Sequence, residues 1–318
     1  MRKAISERVW SILTCPGCGN PLSRTDKGAE CSACRQPYAY TDEGQLDLRL
    51  RAEKSCQLEF RLGVKLEPPS GVVSKTLGKN PSPQVDFSGL KVPWHLRKEL
   101  LSHFPRAEPP GSLMLDLGCG SAIHRTVCEH AGFEYVGLDY DSPLALLLGD
   151  GHALPFQDNS FAFILSIAVL EHVQYPFVMM KETYRVLKPG GKFIGTVAFL
   201  EPFHGDSFYH HTYLGAYNSL AFAGFEIQAI APVPGWSVLT AQAIMSLFPK
   251  LPRPISKAVV FPLHLLHRLW WKIGYLVTHS KTSSEESRVL QTAGAFSFLA
   301  RKPNRARASW SFPEQAEI

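Results

Sequence analysis

The sequence predicts an α/β fold, a parallel sheet wound with helices, preceded by a small cysteine-bearing unit. Three observations carry this reading. Residues 113–117 form an apolar run of the kind a buried parallel strand shows, and the run ends in the turn Gly118-Cys119-Gly120. A second run, residues 135–138, closes on the acid Asp139. Further apolar strands then alternate with helical periodicity as far as residue 232, the pattern of an α/β chain.

The elements follow in chain order. Cys15-Pro-Gly-Cys18 and Cys31-Ser-Ala-Cys34 flank residues 19–30. Each pair can form a tight knuckle, and together Cys15, Cys18, Cys31 and Cys34 supply the four sulfurs of a closed, tetrahedral structural zinc site. Disulfides suit the pattern less, because the start of the chain lacks the apolar core of an export signal. We assign residues 1–50 to this zinc ribbon and 51–93 to a linker, rich in proline at 68, 69, 81, 83 and 93. Residues 94–104 read as a helix. After the first strand, Gly118 and Gly120 let the backbone turn sharply and a ligand come close. Ser121 is a good N-cap for the next helix and Gly132 a good stop. Asp139, 19 residues beyond Gly120, can accept hydrogen bonds from both hydroxyls of a ribose. The turn is not a dinucleotide turn: Ile123 stands where the third glycine would be. Asp116, just before the glycines, would repel a pyrophosphate and suits the cationic amino group of S-adenosylmethionine.

The run Asp116-Leu117-Gly118-Cys119-Gly120 with Asp139 resembles motif I of class I S-adenosylmethionine-dependent methyltransferases of type 11. Residues 149–161, Gly-Asp-Gly-His-Ala-Leu-Pro-Phe followed by Asp158-Asn-Ser-Phe161, are similar to that family's next block, in which an acid reaches the adenine amino group. Leu170-Glu171-His172 resembles its L-E-H segment. A helix opened by Pro176, with Phe177, Met180, Tyr184 and Leu187 on one face, leads to Lys188-Pro-Gly-Gly191 and a strand over 192–198, again similar to the family. The likeness runs over residues 90–232, with a last strand near 295–300. It implies a Rossmann-like seven-stranded sheet within a methyltransferase domain at 94–302. It also implies cofactor contacts from Asp116, Gly118, Cys119, Gly120, Asp139, Asp150, Gly151 and Ser166. One departure stands out. The family usually places a helix between Asp139 and Asp150, whereas here a short polar link leads into the apolar run 144–148, read as the third strand. The adenine side is then either more open or covered by another part of the chain. Residues 13–50 resemble the zinc-ribbon segment of some bacterial methyltransferases and small zinc-binding activators of such enzymes.

The segment after the fifth strand is dense in polar and aromatic groups. Thr212 is placed to cap a helix that Gly224 ends, and residues 225–231 resume a strand. His210 and His211 then lie near the sheet's mouth. With His172 they are the candidate general bases, although methyl transfer can proceed on desolvation and alignment alone. A single histidine in such a place can equally be a packed or a solvated one.

Residues 227–284 contain no Asp or Glu but six Lys or Arg, interleaved with Trp236, Trp270 and Trp271. Prolines at 249, 252, 254 and 262 interrupt the apolar runs, which argues against a spanning helix. We read 236–287 as a hydrophobic, basic insertion. Its stretch 236–277 suits either peripheral contact with an anionic membrane or a lid or subunit contact in a homo-oligomer. The chain as a whole, 45% hydrophobic with a net charge of +5, is that of a globular protein. Four of seven cysteines in metal-type pairs point to a reducing compartment, hence a cytoplasmic protein, peripheral at the inner face of a membrane if the insertion binds lipid. The acceptor expected is a small molecule or a lipid-linked one. The rivals are an RNA methyltransferase of the ribosomal type that docks through its ribbon, and a non-catalytic S-adenosylmethionine-binding partner protein. Residues 303–318 read as a flexible tail.

Overall fold

The computed structural model describes residues 3–60, 63 and 67–304. The expected tail beyond residue 304 lies outside the described residues. The ribbon begins with helix α1 (Glu7–Trp10), where the Ser6 hydroxyl accepts the Val9 N–H at 3.1 Å. Strands β1 (Leu22–Thr25), β2 (Gly28–Cys31) and β3 (Pro37–Ala39) make a small antiparallel sheet. Strand β4 (Leu46–Asp47) then leaves it. After a long coil come α2 (Lys98–Leu101), β5 (Leu113–Leu117), α3 (Arg125–His130), β6 (Glu134–Asp139) and β7 (Leu147–Leu148). They are followed by β8 (Phe161–Ile167), α4 (Pro176–Val186), β9 (Leu187–Ala198), α5 (Tyr213–Ala223) and β10 (Glu226–Pro232). Helices α6 (Val238–Gln242), α7 (Arg253–Thr278) and α8 (Glu285–Gln291) precede the last strand, β11 (Ala295–Arg301).

The main sheet has the order β10-β11-β9-β8-β5-β6-β7-β4. Strands β5 to β9 pair in parallel, and β11 runs antiparallel between β9 and β10. All five residues of β5 are buried, as a central strand covered on both faces requires. Thr212 caps α5 by accepting the Gly215 N–H at 3.0 Å, and Gly224 ends it in the left-handed region at φ 106°.

Several boundaries move. The helix expected over 94–104 is only the single turn α2. Ser121 does not cap a helix: residues 121–124 are turns, and α3 starts after His124. Of the run 144–148, only Leu147 and Leu148 pair as a strand. The buried face of α4 carries Met179, Met180, Thr183 and Val186, so it is rotated from the face predicted. The 51–93 stretch has no helix or strand among its described residues, yet it is more than a spacer. Val73 bridges Ile230, and Leu77 and Val85 are buried beside Leu96, Leu100 and Phe104.

The largest difference is the eighth strand. No helix forms between β6 and β7, and the ribbon occupies that edge. Leu46 and Asp47 pair in parallel with Leu147 and Leu148, and Leu48 N–H donates to Leu148 O at 2.8 Å. Thr14 N–H donates to Pro155 O at 3.0 Å, and Gln157 N–H to Ile12 O at 2.9 Å. Gln45 Nε2 reaches Ser142 O at 2.7 Å, over the link that replaces the helix. Val9, Leu13, Leu46 and Leu48 belong to the same apolar cluster as Leu115, Leu138 and Phe156. The ribbon is therefore part of the main core.

Helix α7 is a single rod that continues through Pro262, where the sequence had suggested a break. Only Ser256 and Val260 are buried, and the half-buried positions His264, His267, Trp271 and Gly274 extend that inward line. The rest of the exposed surface is largely apolar: Leu265, Leu269 and Leu276 stand opposite the inward line, and Ile255, Val259, Leu266, Trp270, Ile273 and Val277 continue the arc round one side at helical spacing. Lys257, Arg268 and Lys272 lie on the far side of the helix from these six, where they border the exposed Leu265, Leu269 and Leu276. No helix of the described residues is long and apolar enough to cross a membrane.

Because ribbon and sheet share a core, they should unfold as one unit. Leu46→Ala, at a fully buried position, should destabilise the whole chain by about 2–5 kcal/mol. Urea unfolding followed by tryptophan fluorescence and by circular dichroism is the check. Two separated transitions in the wild type would contradict a shared core.

Candidate active site

Strands β5 and β6 end side by side, and their terminal acids build a cleft. Asp139 holds the turn between β5 and α3. Its Oδ2 accepts the Gly120 N–H at 2.7 Å, while Oδ1 accepts the N–H groups of Ser142 and Asp141 at 3.2 and 3.3 Å. The Ser142 hydroxyl returns to Gly120 O at 2.5 Å. Gly118 and Cys119 both donate their N–H to Leu138 O, at 2.9 and 3.1 Å. A Cβ on Gly118, at φ 72°, would lie 2.4 Å from the Val169 side chain, so glycine is required there by packing. Gly120, at φ 49°, has open space where its Cβ would be, and this is where a ligand can approach the backbone.

Asp116 lies below, fully buried. Its Oδ2 accepts the Tyr135 hydroxyl at 2.6 Å and lies 3.2 Å from His124 Nδ1. Burial, then the Asp116 charge, pushes the Tyr135 phenol up, so it stays a donor. Asp116 Oδ1 and His124 Nε2 are buried without a hydrogen-bond partner, as is the neighbouring His95 Nδ1. Burial, then His124, brings His95 down to about 4. These orphaned atoms fit a site that a polar group of a ligand completes. Across the cleft, Asp150 Oδ1 accepts the backbone N–H of His152 at 2.8 Å and lies 2.6 Å from its Nδ1. Burial raises the Asp150 carboxyl, but the two His152 bonds outweigh it and hold the group below its ordinary value. His152 Nε2 accepts the Tyr175 N–H at 3.0 Å, which leaves the proton on Nδ1 facing Asp150.

The remaining predicted contacts are Cys119, Ser166 and Gly151. Cys119 is buried, and burial, then the Asp116 and Asp139 charges, pushes its thiol up, so it is neutral. Ser166 is a buried residue of β8, and a Cβ on Gly151 would meet Met179 at 3.5 Å.

A family described as "Methyltransferase domain" matches residues 115–195, which run from β5 into β9. This part of the chain is similar to methyltransferase domains. An uncharacterized methyltransferase of Mycobacterium tuberculosis is 34% identical over 130 residues, covering 36% of this chain and 51% of that protein. One of Mycobacterium leprae is 34% identical over 123 residues, covering 34% and 46%. The chain thus spans about half the length of the curated relatives it matches. Among solved structures, an S-adenosylmethionine-dependent methyltransferase from Mesorhizobium loti is 15% identical, covering 65% of this chain and 98% of that one, with a TM-score of 0.42. The Haemonchus contortus phosphoethanolamine N-methyltransferase 2 is 20% identical, covering 63% and 50%, with a TM-score of 0.38.

Beyond the cleft, the chain gathers histidines past β8 and β9. The rings of His172 and His204 meet edge to face at 5.2 Å, and those of His204 and His210 lie 6.1 Å apart. His172 is half-buried and His210 exposed, with Nε2 3.4 Å from the Ser207 hydroxyl. Burial, then His204, lowers both below the usual imidazole range, so both are neutral at neutral pH. His211 turns inward instead: it is buried, and its Nε2 has no partner. Sequence reasoning did not single out His204, Glu201 or Glu171 in this cluster. Glu171 is wholly buried with neither carboxylate oxygen in a well-formed hydrogen bond, and burial drives it up to about 8. The L-E-H string was the available signal for it.

The four ribbon cysteines come together. Sγ–Sγ distances are 3.8 Å for Cys15–Cys34, 3.4 Å for Cys18–Cys31 and 3.6 Å for Cys18–Cys34. A tetrahedron with zinc–sulfur bonds of about 2.3 Å has edges of about 3.8 Å. The Asn20 side-chain and backbone N–H groups pull the Cys18 thiol down to about 6. The donor set and its spacing fit one zinc.

Asp139→Ala should weaken S-adenosylmethionine binding by about 10- to 150-fold, the loss of one charge-assisted bond of about 1.5–3 kcal/mol. Calorimetry on the folded variant is the check. Unchanged affinity would remove Asp139 from the site.

Proposed function

We propose that this chain is an S-adenosylmethionine-dependent methyltransferase acting on a small-molecule or lipid-linked acceptor at a membrane surface. What carries the reading is the paired acids Asp116 and Asp139 around the open backbone of Gly120, inside the matched domain. When bound, S-adenosylmethionine supplies a methyl group activated by a sulfonium. Asp139, with three acceptor sites already taken by its own loop, would accept one ribose hydroxyl and Asp116 Oδ1 the amino group, with Asp150 toward the adenine. The acceptor would enter past the histidines. His210, exposed and neutral, is the group suited to take its proton. Cys15, Cys18, Cys31 and Cys34 would hold one zinc that stiffens the ribbon and so supports the β7 edge.

The membrane part of the proposal rests on α7. Its exposed arc is apolar, its flank basic, and residues 253–278 contain no acid. An exposed apolar surface of this extent needs a partner. An anionic lipid surface satisfies the greasy arc and the cations together, whereas a second copy would bring basic flank to basic flank. RNA would leave the apolar arc uncovered. The thiols suit a reducing compartment, which favours the cytoplasmic face of that membrane.

Three outcomes are expected. Methyl-labelled S-adenosylmethionine incubated with cell extract and the purified protein should put label into small-molecule or lipid fractions. Label in RNA would overturn the acceptor class, and no transfer despite tight binding would make the protein a non-catalytic partner. Metal analysis should find one zinc per chain, lost in a Cys31→Ser, Cys34→Ser variant; zinc-free reduced protein would contradict the ribbon assignment. The protein should float with anionic but not neutral vesicles, and do so less in moderate salt. Leu266→Ser with Trp270→Ser should abolish flotation, whereas no association of wild type with anionic vesicles would refute lipid contact.

A further inference from the structure

Glu171 poses a physical problem that methyl transfer at the cleft leaves unsolved. Its side chain is wholly buried, and neither oxygen makes a well-formed hydrogen bond; only the backbone of Glu171 itself and of Ala198 comes near enough to favour its charged form. A carboxylate in that state is expensive unless a cation or donor joins it. Two imidazoles face it. One ligand atom each from Glu171, His172 and His204 all lie within 4.8 Å of one another. His172 Nδ1 is also buried and unpartnered. His204 Nδ1 lies 2.9 Å from Pro202 O, a bond it can only donate, so Nε2 is the atom whose lone pair a cation would take. An imidazole held by its far N–H on a backbone carbonyl is the usual posture of a metal ligand. That Nε2 lies 3.8 Å from Glu201 Oε2, and Glu201 is itself fixed by the Trp236 indole N–H at 2.5 Å.

We propose that Glu171, His172 and His204 bind one first-row divalent cation, distinct from the ribbon zinc, with Glu201 as a further carboxylate at its edge. Two nitrogens and a carboxylate leave coordination positions open and favour a transition-type ion over magnesium or calcium. The site stands where β8 and β9 end, beside His210 and on the side from which an acceptor would enter. A cation there would polarise a hydroxyl or carboxylate of the acceptor. His172 is then a ligand, and the proton falls to His210. The site does not depend on the cofactor cleft, so its test does not need methyl transfer.

Mn²⁺ is the probe, because it does not displace zinc from four thiolates. Titration of the zinc-loaded protein, with free Mn²⁺ followed by electron paramagnetic resonance, should show one ion bound per chain. Zn²⁺ should displace it. His204→Ala should weaken binding at least ten-fold, and Glu171→Gln more, while circular dichroism stays that of wild type. If Glu171→Gln does not fold, His204→Ala decides alone. No Mn²⁺ bound at millimolar concentration, or undiminished binding in folded His204→Ala, overturns the site.

Discussion

One carboxylate organises the cofactor side of this protein. Asp139 reaches back from the end of β6 to the Gly120 N–H and forward to Ser142, while Ser142 closes the loop on Gly120 O. The turns after β5 and β6 thereby become one rigid unit. A carboxylate has lone pairs to spare beyond these bonds, so it can anchor the loop and still receive a ribose. The buried Asp116 and the open space beside Gly120 acquire their relation to each other through this clamp.

The ribbon solves the problem that the shortened β6–β7 link creates. Without a helix between β6 and β7, the β7 edge would expose both backbone groups and apolar side chains. Strand β4 pairs with that edge, and Leu46 and Leu48 fill the core beneath it. The cluster of Cys15, Cys18, Cys31 and Cys34 gathers the ribbon that carries this short strand. The two ends of the chain's chemistry, four thiols and one nucleoside-type cleft, are thus mechanically connected.

Much of the cleft was legible because its signals are local. Asp116, the two glycines and Asp139 lie within one strand–turn–helix–strand unit, and Thr212 and Gly224 mark the limits of α5 by capping chemistry alone. What was not legible depends on distant pairing. The residues of β4 form only a short apolar stretch, and only the β7 edge makes them a strand. Ser121 resembled a cap, but the chain makes further turns before α3. His204 and Glu171 lie more than thirty residues apart, and only the packing of the loops after β8 and β9 brings them together. The prolines near α7 suggested interruptions. Pro254 instead sits in the first turn, where its missing N–H costs nothing, and Pro262 is carried on the exposed side.

The central claim is that S-adenosylmethionine sits in the cleft clamped by Asp139. Amide hydrogen exchange with and without S-adenosylhomocysteine tests it most directly. The account predicts that protection rises over residues 116–123 and 139–152, with little change in α7. Ligand-induced protection confined elsewhere, or none at saturating ligand, would contradict it.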